Sequence, residues 1–133
     1  MNAVFLDTVG LVALWNNSDQ WHDAAKMAFA QIVRERRRIV TTTFVLLECG
    51  NAAARRPYRH EPGLLSASLQ HRNELIVPTD EDWDDAWREY NAGNAGDAGI
   101  VDHVSFVVMK RLGLTTAFTN DKHFKAAGFI TLF

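Results

Sequence analysis

Ala3-Val4-Phe5-Leu6-Asp7-Thr8-Val9-Gly10-Leu11-Val12-Ala13-Leu14-Trp15 opens the chain with two different periodicities in succession. Residues 3–6 are apolar at every position, as a strand buried on both faces requires, and Asp7 ends the run. From Val9 to Trp15 the large apolar side chains return at helical spacing. A strand without a polar face needs a helix on each side of its sheet, so this beginning points to a parallel α/β layer.

The same alternation continues downstream. A helix capped by Ser18 or Asp19 carries Trp21, Ala24, Ala25, Ala28, Phe29 and Ile32 on one stripe and ends in the basic run Arg34–Arg38, where cations suit the helix dipole. Ile39-Val40-Thr41-Thr42 is β-branched throughout and reads as a second strand, followed by a helix from about Phe44 to Arg56 that Pro57 closes. After a loop over residues 58–63, a short helix is expected over 64–71 and a third strand over 75–77, stopped by Pro78. Thr79-Asp80-Glu81-Asp82 starts a helix with acids in its first turn, and Trp83 and Trp87 share a face. The Gly/Asn-rich stretch 91–99 leads into a long amphipathic helix over about 100–112. A fourth strand over 116–119, a short helix over 121–127 and a terminal strand over 129–133 complete the pattern. The expectation is one α/β domain over residues 1–133, a three-layer α/β/α sandwich around a parallel sheet of four or five strands.

At 133 residues the chain is long enough to bury a continuous core without disulfide or metal staples. Its apolar share of 47% and charged share of 23% exclude the disordered and collagenous classes. The net charge of -2 gives no global field for a polyanion, so any nucleic-acid contact must be local. Charge is uneven: residues 1–75 hold nine basic and seven acidic side chains, the remainder five and nine, so a basic half is available to face phosphates. One cysteine, Cys49, forms no internal disulfide and fits a reducing compartment; with no apolar run of membrane-spanning length, the chain is expected in the cytoplasm.

In a parallel sheet, ligands gather at the carboxyl ends of the strands, where Asp7 and Asp121 would share a rim. Glu48, one turn into the helix after the second strand, and Asp102, in the first turn of the long helix, are placed to face the same crevice. Neither has a Lys or Arg three or four residues away on its helix. Four carboxylates in a partly dry cleft repel one another and take up protons unless cations compensate. Mg²⁺ or Mn²⁺ suits such an all-oxygen set, and a pair of ions about 3.5–4 Å apart can activate water and stabilise the departing oxygen of a phosphodiester. No zinc-protease His pair, serine-hydrolase elbow or phosphate loop offers competing chemistry.

Four segments occur in order: Phe-Leu-Asp7-Thr8, Leu-Leu-Glu48-Cys-Gly-Asn51 with Arg55 beyond, Val-Asp102-His-Val-Ser-Phe, and Thr119-Asn-Asp121-Lys-His-Phe124 with Gly128-Phe129. Together they resemble the PIN-domain nucleases, and in particular the VapC-type toxins of toxin-antitoxin pairs, over nearly the whole chain. The resemblance implies a metal-dependent endoribonuclease with Asp7, Glu48, Asp102 and Asp121 as its acidic centre. Thr8, Asn51, Arg55 and Thr119 would be supporting or substrate-contacting neighbours. It also implies an RNA substrate, a homodimer and a small antitoxin that covers the acidic groove. One departure stands out: Gly99 replaces the Ser or Thr that many relatives carry three residues before the third acid, and Asp97 adds an acid nearby.

Each residue also has a plainer reading. Asp7 and Asp121 suit helix caps, Asp102 suits the helix dipole, and Thr8 and Thr119 suit strand ends bonded to backbone. His103 and His123 are read as packing or surface residues outside the site. The four tryptophans are read as core or helix-packing residues, any exposed subset marking a dimer or antitoxin surface. The competing functional class is a noncatalytic module whose acidic groove binds a partner's arginine, and a second alternative is phosphoryl transfer through Asp7.

Overall fold

The computed structural model describes residues 3–133. Five parallel strands, β1 (Val4–Leu6), β2 (Ile39–Thr42), β3 (Leu75–Ile76), β4 (Thr116–Phe118) and β5 (Ile130–Thr131), form one sheet in the order β3-β2-β1-β4-β5. Seven helices alternate with them: α1 (Thr8–Trp15), α2 (His22–Arg34), α3 (Thr43–Ala53), α4 (Glu61–His71), α5 (Asp80–Asn91), α6 (Ile100–Leu112) and α7 (Lys122–Ala126). Every residue of β1 and β4 is buried, so helices cover both faces of the sheet, the α/β/α arrangement expected from the opening stretch.

Central β1 pairs on one side with β2, Phe5 opposite Val40, and on the other with β4, Leu6 opposite Phe118. The chain leaves β1 towards β2 and β3, then returns to the far side of β1 for β4 and β5. The order therefore reverses between β1 and β4, and the crevice beyond their carboxyl ends is where such sheets bind ligands. Phe5, Leu6, Phe118 and Phe124 are buried in the main core beneath that crevice; Ala86, Val104 and Val108 form a smaller core under α5 and α6.

Several boundaries differ from the sequence reading. The α2 helix begins at His22 without a side-chain cap, because Asp19 accepts a hydrogen bond from the Trp21 N–H in a turn before the helix. The α3 helix ends at Ala53, ahead of Arg56: the residue before Pro57 is disfavoured in helical conformation, and turns run from there to α4. The α4 helix starts at Glu61, three residues early, with Pro62 in its first turn, where a missing N–H costs nothing. Strand β3 stops at Ile76, leaving Val77 exposed.

The α5 start matches its sequence signature. Thr79 and Asp82 form a reciprocal capping box, the Thr79 hydroxyl accepting from Asp82 N–H and the Asp82 carboxylate from Thr79 N–H. Arg111 of α6 donates to both oxygens of the same carboxylate, at 2.9 and 2.7 Å, which locks α5 to α6 and holds Asp82 below the usual carboxylate range. Asp82→Ala removes the box and leaves Arg111 without its acid. The expected cost is about 2–3 kcal/mol, discounted from a fully buried pair because Arg111 is partly exposed. Chemical denaturation of the variant checks it.

Candidate active site

Asp7 follows the last residue of β1 and is the N-cap of α1, yet its side chain caps nothing. It is 2% exposed and turned into the crevice region, where the Thr119 hydroxyl donates to its Oδ2 at 2.8 Å. Capping therefore does not explain it. Thr119 follows β4 and also accepts from the Asp121 N–H at 3.1 Å, so one hydroxyl joins the first and fourth acids. Asp121 does cap α7: its Oδ1 accepts from the His123 N–H at 2.9 Å. On α3, Glu48 Oε1 accepts a 2.7 Å hydrogen bond from the Thr8 hydroxyl of α1. Thr8 thus bonds to an acidic side chain, and Thr119 to both an acidic side chain and the backbone N–H of Asp121.

Asp102 sits in the first turn of α6, whose N-cap is Gly99 in extended backbone with no side-chain cap. The hydroxyl that would cap this helix is therefore missing, and the first turn carries the acid Asp102, which suits the helix dipole. Asn51 and Arg55 do not join the group. Both are exposed, Arg55 lies beyond the end of α3, and neither makes a hydrogen bond or ion pair to the four acids.

The electrostatics show that the acids feel one another. Burial pushes Asp7 up to about 7, the Asp102 and Asp121 charges adding to it against the Thr119 hydroxyl and Thr8 N–H. Burial likewise lifts Asp102 to about 6, with Asp121 and Glu48 raising it further and the Gly99 N–H and His123 opposing. Among the described residues no lysine or arginine pairs with any of the four; the cations that do pair with acids serve Glu74, Asp82 and Asp85. An all-oxygen donor set, strongly self-repelling and with no lysine or arginine among its partners, fits a hard divalent ion.

His123 is the residue that the sequence reading left out. Its Nδ1 lies 2.8 Å from Asp121 Oδ1 and its Nε2 2.6 Å from Asp97 Oδ1, and these carboxylates raise its pKa, the Asp97 bond first. One ligand-type atom from each of Asp102, Asp121 and His123 falls within 4.8 Å of the others. A signal was present: a His two residues after an N-cap Asp brings its ring back towards the cap. His103, by contrast, is buried between the Tyr90 and Phe106 rings, as the packing reading holds. Cys49 is buried and its thiol is pushed up to about 12 by that burial, which removes it as a nucleophile.

A parallel sheet whose order reverses between β1 and β4, with Asp7 and Asp121 following those two strands, defines an α/β class with a ligand crevice at the switch point, and the PIN domain family matches residues 4–130. The chain belongs to the PIN domain family. It is 30% identical over 132 residues to the 23S rRNA-specific endonuclease VapC20 of Mycobacterium tuberculosis, covering 96% of this chain and 95% of that protein. The crystal structure of M. tuberculosis VapC20, described as a sarcin-ricin loop cleaving toxin, superposes with a TM-score of 0.78 at 27% identity, covering 96% of both chains. FitAB bound to a DNA fragment, at 12% identity and a TM-score of 0.70 over 96% of this chain and 92% of that one, shares the fold.

Proposed function

We propose that this chain is a metal-dependent endoribonuclease, the toxin of a type II toxin-antitoxin pair, with Asp7, Glu48, Asp102 and Asp121 as ligands for Mg²⁺ or Mn²⁺. One observation carries the proposal: the Thr119 hydroxyl joins Asp7 to Asp121, ligand-type atoms of Asp102 and Asp121 lie within 4.8 Å of each other, and among the described residues no lysine or arginine pairs with any of the four acids. The kinship with VapC20 supports the same activity and makes a structured loop of 23S rRNA the first substrate to test.

Bound divalent ions supply a nucleophilic water at neutral pH and charge stabilisation for the departing oxygen of the phosphodiester. The protein's own part is to hold the carboxylates in place before substrate arrives. Thr119 fixes Asp7, and Thr8 fixes Glu48, each through a hydroxyl donor that orients a carboxylate without neutralising it. Arg55, Arg56 and Arg59, exposed beyond α3, are proposed to attract RNA phosphates as a local basic patch.

We further propose that residues 1–133 act as one cytoplasmic domain that forms a homodimer and is held inactive by an antitoxin. Among the described residues no helix is long and apolar enough to cross a membrane. The half-exposed rings of Trp21, Trp83 and Tyr90 provide apolar surface for such partners.

Purified, partner-free protein incubated with total RNA and with 23S rRNA tests the central proposal. Discrete cleavage products are expected with Mg²⁺ or Mn²⁺ and none with EDTA. Failure to cut any RNA in a broad panel, with ions present, would favour the noncatalytic module that binds a partner's arginine in the acidic groove.

A further inference from the structure

The acids Asp7 and Glu48 are each held by a threonine, but Asp121 is held in another way. Its Oδ1 accepts from both the His123 backbone N–H and the His123 ring, whereas its Oδ2 has no hydrogen-bond partner among the described residues. The other edge of the ring meets Asp97, 26 residues earlier in the chain, on the segment that leads into α6 and so into Asp102. Each ring nitrogen already lies within hydrogen-bond distance of a carboxylate, so neither can turn to an ion without giving up one of those contacts. The ring is placed to brace, not to ligate.

The bracing answers a mechanical need. The α7 helix has five residues, too few to hold a rigid first turn by its own hydrogen bonds. Residues 93–96 turn through left-handed backbone at Gly93, Ala95 and Gly96, with Gly99 as a cap that has no side chain to anchor. The Asp97–His123–Asp121 bridge joins these two segments by side chains, one carrying the fourth acid and the other leading to the third.

We propose that His123 is a positioning residue of the acidic site: bridged between Asp97 and Asp121, it fixes the fourth carboxylate with Oδ1 engaged and Oδ2 left over, and ties residues 93–99 to it. This rests on reading the four acids as a divalent-ion site. Asn in place of His123 keeps a donor at the position of Nδ1, whereas Ala removes both arms.

Calorimetric titration of the full chain with Mg²⁺ and with Mn²⁺ separates the roles. His123→Ala is expected to weaken both ions by the same factor, about 10- to 100-fold, while His123→Asn, which keeps the Asp121 arm and loses the Asp97 arm, falls between His123→Ala and the native protein. Unchanged affinity in a His123→Ala protein with native circular dichroism would overturn the inference, as would His123→Asn proving as damaging as Ala. A loss for Mn²⁺ tenfold or more beyond that for Mg²⁺ would also overturn it, marking the ring as a ligand, because imidazole favours the transition metal on the order of that factor. Native protein that binds ions but cuts no RNA would sink the nuclease reading alone and leave this inference standing. Native protein that takes up neither ion would overturn both.

Discussion

Asp7→Asn is expected to abolish RNA cleavage and, in metal-free buffer, to raise the melting temperature. The two effects share one cause. In the folded protein the Asp7 carboxyl is pushed up to about 7 by burial and by Asp102 and Asp121, so the ionised form that an ion needs is the form the apo fold tolerates least. Between about pH 4 and pH 7 the folded state holds a proton here that the unfolded chain has released, so apo stability falls as pH rises through this window. The full penalty is present above about pH 7 and absent below about pH 4, and Asp102, lifted to about 6, adds to it in the same direction.

At about 1.4 kcal/mol per pH unit the Asp7 penalty has a ceiling on the order of 4 kcal/mol, of which relaxation around the site leaves about 2 kcal/mol. Asn keeps an acceptor for Thr119 and carries no charge, so the variant gains that amount at pH 8 and nothing near pH 4. Scanning calorimetry at the two pH values checks it. Loss of a ligand that supports several kcal/mol of transition-state stabilisation should reduce cleavage by about a thousandfold or more. A variant that cuts RNA normally with Mg²⁺, or one no more stable than the native protein at pH 8 without ions, would remove Asp7 from the site.

Gly10→Ala is expected to destabilise the fold by about 3 kcal/mol or more, a drop of roughly 10 °C in melting temperature for a chain of this size. A Cβ at Gly10 would lie 2.1 Å from the Phe118 carbonyl oxygen and 2.8 Å from its carbon, so backbone must move. Whatever moves carries the site with it: Gly10 is on α1 three residues after Asp7, and Phe118 adjoins Thr119, the residue that holds Asp7. Cleavage should therefore fall well below the new melting temperature too. Gly50→Ala provides the control, since Gly50 is on the exposed face of α3 and a Cβ there meets nothing within 4 Å. It should stabilise by about 0.5–1 kcal/mol through helix propensity.

How much of the site was legible depended on how local each cause is. Glu48 and Asp102 stood out because a helix fixes which neighbours an acid can meet, and no cation occupied those offsets. Asp7 was ambiguous between cap and ligand until its carboxylate proved to cap nothing. Arg55, a supporting or substrate-contacting residue only by resemblance, lies exposed beyond the end of α3 at Ala53. His123 reads from sequence as a surface or packing residue, since an oxygen-ligated ion has no need of a histidine, and its contact with Asp97 is one that sequence separation conceals.

By itself the sequence determined the alternation of strand and helix and the parallel sheet, and it singled out the candidate acids, because these follow from burial periodicity and from charges without local partners. Tertiary structure alone decided that β1 and β4 are neighbours, that Thr8 and Thr119 each hold an acid, that Gly10 must lack a side chain, and that His123 joins two loops. Those contacts form between segments tens of residues apart, and their energies depend on where the packed sheet brings them, which no local pattern records.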